Sequence, residues 1–290
     1  MTVRDALREG VAALGASGSP FLDASLLLAS ALGVDRTRLY ACGPESLESG
    51  AAARYRDLLA QRVSGLPVAY ILGAREFWGR RFRTDSRALV PRPETELLVS
   101  LALEAGDALV SSGRRARPRV HEICCGSGCV ILSLAADRPL WQVSASDLSP
   151  GAGSLARENA ELLLPRDRPG GPCELFASDL LDSVEGPFDI VLANPPYIPT
   201  AELELLAPGL AFEPRMALDG GPDGLDLYRR LVPAAASKLE PGGVLLLESD
   251  GSQAPILRSL LAGEGFGQVA SYRDLAGIER ITRGSLPCPD

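Results

Sequence analysis

The run Phe188-Asp189-Ile190-Val191-Leu192-Ala193 has the length and apolar content of a strand buried on both faces, and it stops at Asn194-Pro195-Pro196-Tyr197. Two successive prolines forbid further ladder hydrogen bonds, so the strand must end there. An amide side chain, a proline carbonyl and an aromatic ring are left at its carboxyl edge, which is where open α/β sheets bind ligands. Asn-Pro also opens ordinary turns, and tyrosines also pack. Read for chemistry, the four residues form a clamp for a planar nitrogen group.

A second constellation precedes it. The first apolar strand after residue 118 ends in Glu122-Ile123-Cys124-Cys125-Gly126-Ser127-Gly128 and passes at once into a helix. Glycines in such a turn let the backbone approach a ligand. The dinucleotide fingerprint would need a third glycine at position 131, where Ile131 stands. A carboxylate at the strand end repels a pyrophosphate and suits a cation. S-adenosylmethionine, with its sulfonium and ammonium groups, fits both facts. The next strand ends at Asp147, placed to accept the ribose hydroxyls, with Leu148 beside it. The strand after that ends at Asp179-Leu180, placed for an adenine amino group and ring face. A lone strand-end aspartate is often a helix cap. The weight lies in the order of these features on successive strand ends.

Alternating strands and helices after residue 118 imply a parallel sheet with crossover helices. Strands are expected near 119–124, 141–147, 173–179, 188–193 and 242–249, then an antiparallel pair near 268–274 and 279–285. Helices are expected near 128–138, 150–164, 223–239 and 252–264. Residues 1–70 read as helical, with Val3, Leu7, Val11 and Leu14 on one stripe and Ala52, Tyr55, Leu59 and Val63 on another. Aromatic and alternating residues around Gly79 suggest a hairpin. Pro91-Arg92-Pro93-Glu94 then fixes an extended turn before a helix and presents Arg92 and Glu94 as a polar wall.

The 290 residues carry a net charge of −8, 46% hydrophobic and 23% charged residues, the composition of an ordinary globular protein. That charge disfavours a large nucleic-acid footprint. No apolar run of about 18 residues and no basic-then-apolar leader is evident, so a cytoplasmic location without membrane association is expected. The six cysteines show no framework spacing, and no CxxC pair accompanies Cys124, Cys125 and Cys129, so no metal is expected. A single histidine, His121, argues against a Ser-His-Asp or Cys-His centre.

Over nearly its whole length the chain resembles the release-factor glutamine methyltransferases, the HemK/PrmC family. The resemblance is carried by Pro67-Val-Ala-Tyr-Ile-Leu-Gly73, Glu76-Phe-Trp-Gly79, Val90-Pro-Arg-Pro-Glu-Thr-Glu96 and Asn194-Pro-Pro-Tyr197. Glu213-Pro214, Ala217-Leu-Asp-Gly-Gly221, Asp223-Gly-Leu-Asp-Leu-Tyr228 and Ala276-Gly-Ile-Glu-Arg280 add to it. It implies an α/β, Rossmann-like class I S-adenosylmethionine-dependent methyltransferase fold in residues 91–290, a helical substrate-recognition domain in 1–70 and a β-hairpin linker in 71–90. It implies S-adenosylmethionine as donor, S-adenosylhomocysteine as product, and the glutamine of the Gly-Gly-Gln motif of a class 1 peptide chain release factor as acceptor. By position, Glu122, Cys124, Cys125, Gly126, Ser127, Gly128, Asp147, Leu148, Asp179, Leu180 and Asn194 would hold the donor. Asn194, Pro195, Pro196 and Tyr197, with Arg92 and Glu94, would hold the acceptor, and Asn194, Pro195 and Tyr197 would carry the catalysis. The family usually has Gly and Thr where Cys124 and Cys125 stand, and Asp where Glu122 stands. These departures leave open a paralogue that methylates an amide or amine of a small molecule or peptide. The shared Asn-Pro-Pro-Tyr leaves open, more remotely, nucleic-acid amino methylation.

Overall fold

The computed structural model describes residues 1–15, 17–205 and 208–288. The chain divides into two compact units, one of Met1–Ala74 with Ala207–Phe212, the other of Arg75–Leu206 with Glu213–Asp290.

The first unit is built on five helices: α1 (Val3–Ala13), α2 (Pro20–Leu32), α3 (Arg36–Ala41), α4 (Ser49–Val63) and α5 (Val68–Leu72). Helix α1 starts at a capping box in which Asp5 N donates to Thr2 Oγ1 and Thr2 N donates to Asp5. Helix α2 stops where Gly33 enters the left-handed region at φ +68°. The buried stripe of α1 is Val3, Ala6, Gly10 and Leu14, one step around from the expected Val3, Leu7, Val11 and Leu14. Gly10 is the reason, because a Cβ there would lie 1.9 Å from the Tyr55 hydroxyl. Tyr55 therefore packs into a notch that a count of apolar residues does not register. Val63, expected on the apolar face of α4, is exposed.

In the second unit, β1 (Ala74–Phe77) and β2 (Arg80–Arg83) form a hairpin whose two connecting residues, Trp78 and Gly79, both have positive φ. That is the turn whose twist matches paired strands. The hairpin is fastened to the body of this unit: Trp78 Nε1 and Arg80 both bond the Asp137 carboxylate at 2.7 Å.

The sheet of this unit has seven strands in the order β5-β4-β3-β6-β7-β9-β8. They are β3 (Arg119–Ile123), β4 (Gln142–Asp147), β5 (Glu174–Ala177), β6 (Phe188–Ala193), β7 (Leu239–Glu248), β8 (Gly267–Arg273) and β9 (Glu279–Ser285). The first five are parallel, and β9 joins β7 and β8 antiparallel. Every residue of β6 is buried. Ile190 and Leu192 pack with α6 (Glu96–Ser111) and α7 (Cys129–Asp137) on one face. Val191 and Ala193 pack with α9 (Asp226–Lys238) and α10 (Ala254–Gly263) on the other. Helix α8 (Pro150–Leu163) crosses between β4 and β5. The chain winds outward from β3 in one direction and from β6 in the other, so the switch point lies between the carboxyl ends of these strands. Among the described residues no helix is long and apolar enough to cross a membrane.

Helix α6 packs on Trp141, the residue before β4, at Gly106, where a Cβ would lie 2.1 Å from the Trp141 ring. Gly106→Leu should therefore destabilise the second unit by ~1–3 kcal/mol through overpacking. A denaturant midpoint that does not move would refute the contact's importance.

Candidate active site

A cleft of about 600 Å³ opens at the carboxyl ends of β3, β4 and β6. Glu122, next to last in β3, is buried, and its Oε2 accepts the Ile131 N–H of the first turn of α7 at 2.9 Å. It thus satisfies one orphan donor of that helix. Burial pushes its pKa up to about 8, with the nearby Asp147 and Glu248 carboxylates adding to the rise. The connection to α7 bends back sharply: Cys124, Gly126 and Gly128 have φ of +57°, +54° and +77°. Asp147 closes the turn by accepting Gly126 N at 2.9 Å and Ser149 N at 2.8 Å, one on each oxygen. Burial raises its pKa against these two donors. Each of its oxygens keeps a lone pair for a ligand hydroxyl.

Cys124 takes the left-handed conformation that a glycine adopts without strain. The thiols of Cys124, Cys125 and Cys129 are all pushed far up by burial, which makes them poor nucleophiles. His121 is held neutral by burial, its pKa lowered to about 3, between the Ser144 and Ser146 hydroxyls.

Leu148, Asp179 and Leu180 line the same cleft. Asp179 is paired with Arg230 of α9 at 2.7 Å, so a guanidinium also stands on this wall. Arg92 lines the cleft and pairs with the buried Glu213, whose other oxygen accepts Val90 N at 2.9 Å. Glu213 thereby latches the strand-like segment before α6. Glu94 is exposed and stands outside the lining.

Asn194 and Pro196 line the cleft, whereas Pro195 is buried and Tyr197, half-buried, is packed against the core cluster that holds residues of α9 and α10 and does not line the cleft. Burial and the nearby Glu248 carboxylate push the Tyr197 hydroxyl up to about 12. The structure thus sets Asn194 in the same cleft as Glu122 and Asp147, and Tyr197 is not among the residues that line it. The loop is set from below by glycines. A Cβ at Gly220 would come within 2.8 Å of the Pro196 carbonyl and Tyr197 Cα, and one at Gly224 within 2.2 Å of the Tyr197 carbonyl. The block Leu218–Gly224 is therefore the bed on which Asn-Pro-Pro-Tyr lies, joined by a parallel bridge between Ile198 and Asp219.

Three groups at the site were not singled out individually from sequence: Arg230, Thr95 and Glu248. Thr95 Oγ1 donates to Glu248 Oε1 at 3.0 Å and accepts Asn194 Nδ2 at 3.3 Å. Only the register of β7 against β6, which follows Ala193↔Leu247 with Asn194 beside Glu248, would have pointed to the pair.

A family model described as PrmC N-terminal domain matches residues 5–73, and one described as Methyltransferase small domain matches residues 103–207. The release factor glutamine methyltransferase of Burkholderia pseudomallei is 43% identical over 276 residues, covering 94% of this chain and 95% of that protein. That of Deinococcus radiodurans is 42% identical over 285 residues, 98% of each. The chain belongs to the release factor glutamine methyltransferase family. In fold it is also similar to the solved hMettl16 catalytic domain, with a TM-score of 0.56, 17% identity and coverage of 81% of this chain and 83% of that one. The fold is the class I S-adenosylmethionine-dependent methyltransferase fold, and the cofactor of the family is S-adenosylmethionine. The residues present fit it: buried carboxylates for cationic and hydroxyl groups, and open space above Gly126, where the nearest atom to an added Cβ is 3.8 Å away.

Cys124→Gly exchanges left-handed strain of ~1–2 kcal/mol for glycine's entropy of ~0.5–1 kcal/mol, so urea unfolding should shift little. Cys124→Val, β-branched at the same φ, should lose ~1–3 kcal/mol. Equal stability of the two variants would contradict the strained turn.

Proposed function

We propose that this chain transfers a methyl group from S-adenosylmethionine to the side-chain amide nitrogen of a glutamine, in the Gly-Gly-Gln motif of a class 1 peptide chain release factor. The observation that carries the reading is the position of Asn194. Its Nδ2 is engaged by Thr95 while its Oδ1 accepts nothing from the described protein, on the wall of a cleft whose neighbouring strand ends bear Glu122 and Asp147. Likeness to the named relatives over nearly the whole chain supports the release factor as acceptor.

S-adenosylmethionine supplies an electrophilic methyl group on a sulfonium when bound. Glu122 and the 124–128 turn would face the methionine portion, Asp147 the ribose, and Asp179, Leu180 and Leu148 the adenine. An amide nitrogen is a poor nucleophile because its lone pair is delocalised into its carbonyl. Asn194 Oδ1 would accept one N–H of the glutamine, and the Pro195 carbonyl, next along the chain, the second. Held by its hydrogens, the nitrogen is oriented toward the methyl carbon and its developing positive charge meets acceptors already in place. Tyr197, packed against the core, would anchor the end of the loop. No general base is needed before transfer, because alkylation itself acidifies the N–H. The chain's lack of a titrating histidine accords with this.

Incubation with methyl-labelled donor and the host's release factor should place the label on the Gly-Gly-Gln peptide, located by mass spectrometry. Label elsewhere, or none, overturns the acceptor.

Glu122 gives a pH signature. With its pKa raised to about 8, the ligand-free protein is favoured with Glu122 protonated. That contribution to stability is present below the ordinary glutamate value and is lost as pH rises through about 8. A cationic donor favours the ionised form, so binding should release a proton and tighten as pH rises toward 8. Calorimetry in buffers of different ionisation enthalpy should detect that proton in the wild type and not in Glu122→Gln. Equal proton release from both would remove Glu122 from the donor site.

A further inference from the structure

The carboxyl ends of β6 and β7 lie side by side, which puts Asn194 next to Glu248 with the Thr95 hydroxyl between them. We propose that Thr95 and Glu248 are positioning residues that hold the Asn194 side-chain amide in the one orientation able to receive an acceptor N–H. The inference rests on the amide clamp proposed above.

A threonine hydroxyl has a single hydrogen. In this structure it goes to Glu248 Oε1 at 3.0 Å, so Oγ1 offers only lone pairs to its other neighbour. The Asn194 amide must then present its N–H₂ to Thr95, and its Oδ1 is turned to the opposite side. Rotated by half a turn, Asn194 would set oxygen against oxygen at Thr95 and would show a donor, not an acceptor, to the substrate N–H₂. The carboxylate is thus the element that breaks the near-symmetry of the amide.

Two further facts favour a functional reading of Glu248. It is 2% exposed, and its Oε2 has no hydrogen-bond partner among the described residues. A buried carboxylate with one unpaired oxygen is unfavourable for folding, and a neutral side chain of the same size would serve packing better. Charged and titratable groups face it from every side: Arg92 and Glu94 from the segment before α6, and Arg280 from β9. Tyr197 stands after β6 and Tyr228 on α9, while Glu122 and Cys129 belong to the donor side. Asp250, two residues on, shares Arg280. Burial raises Glu248 to about 7, with Thr95, Arg280 and Arg92 opposing the rise. Once protonated, Glu248 can donate to Thr95, which frees the threonine hydrogen for either face of Asn194. Orientation is then no longer dictated, so kcat at saturating donor should fall as pH drops below about 7.

The test uses the full chain with a release factor as acceptor and compares Thr95→Val, Thr95→Ser and Glu248→Gln. Turnover, donor affinity by calorimetry and melting temperature are measured for each. Thr95→Val should lower kcat roughly 10- to 100-fold with donor affinity little changed, and Thr95→Ser should restore most of it. Glu248→Gln, whose amide does not titrate, should lose the acid limb of kcat, whichever way Thr95→Val affects folding. Wild-type turnover in Thr95→Val, no rescue by Thr95→Ser, or an acid limb that survives in Glu248→Gln would each overturn the positioning role while leaving the function standing. A wild type that labels no release-factor glutamine overturns the function itself, and the positioning role with it.

Discussion

Four consecutive strands of one sheet, β4, β3, β6 and β7, carry Asp147, Glu122, Asn194 and Glu248 at or just beside their carboxyl ends. Three of these are carboxylates withdrawn from water, and the site depends on how their desolvation is met. Asp147 receives two main-chain N–H groups, Glu122 receives one from α7, and Glu248 receives the Thr95 hydroxyl. Among the described residues none of the three has a cation in direct contact, and burial pushes all three upward in pKa. A cationic donor is the complement such an edge lacks. The guanidinium groups of Arg92 and Arg230 stand farther out, paired with Glu213 and Asp179.

The apolar sheet makes this arrangement rigid. With β6 buried on both faces, the prolines after Ala193 leave the chain no freedom to extend, and Asn194 is delivered at a fixed height above the sheet. Gly220 and Gly224 then allow a second loop to lie against Pro196 and Tyr197. The Pro196-Tyr197 backbone is held by that loop, while among the described residues Asn194 Oδ1 and the Pro195 carbonyl accept no hydrogen bond.

Much of the sheet was legible from sequence because its signals are local. Largely apolar runs, such as 188–193, identify buried parallel strands, and glycines at 126 and 128 identify the sharp turn that lines the cleft. Cys124 stands where the family usually has glycine, and its φ of +57° puts a side chain in the left-handed region. What sequence did not display are contacts whose partners lie far apart. Thr95 and Glu248 are 153 positions apart, and Arg92 and Glu213 are 121. Neither pair has a spacing that marks it. Side-chain placement was also hidden: Tyr197 packs against the core cluster and is not among the residues that line the cleft. The rotation of α1 has a similar cause, since Gly10 carries no hydrophobic signal and yet forms the notch for Tyr55.

The central claim is that Asn194 acts on the acceptor nitrogen and not on the fold or the donor. Asn194→Ala measured in parallel for donor affinity and single-turnover methyl transfer tests it most directly. The account requires donor affinity close to wild type and a transfer rate lower by roughly 10²- to 10³-fold. A variant that binds donor normally and transfers methyl at the wild-type rate would contradict it.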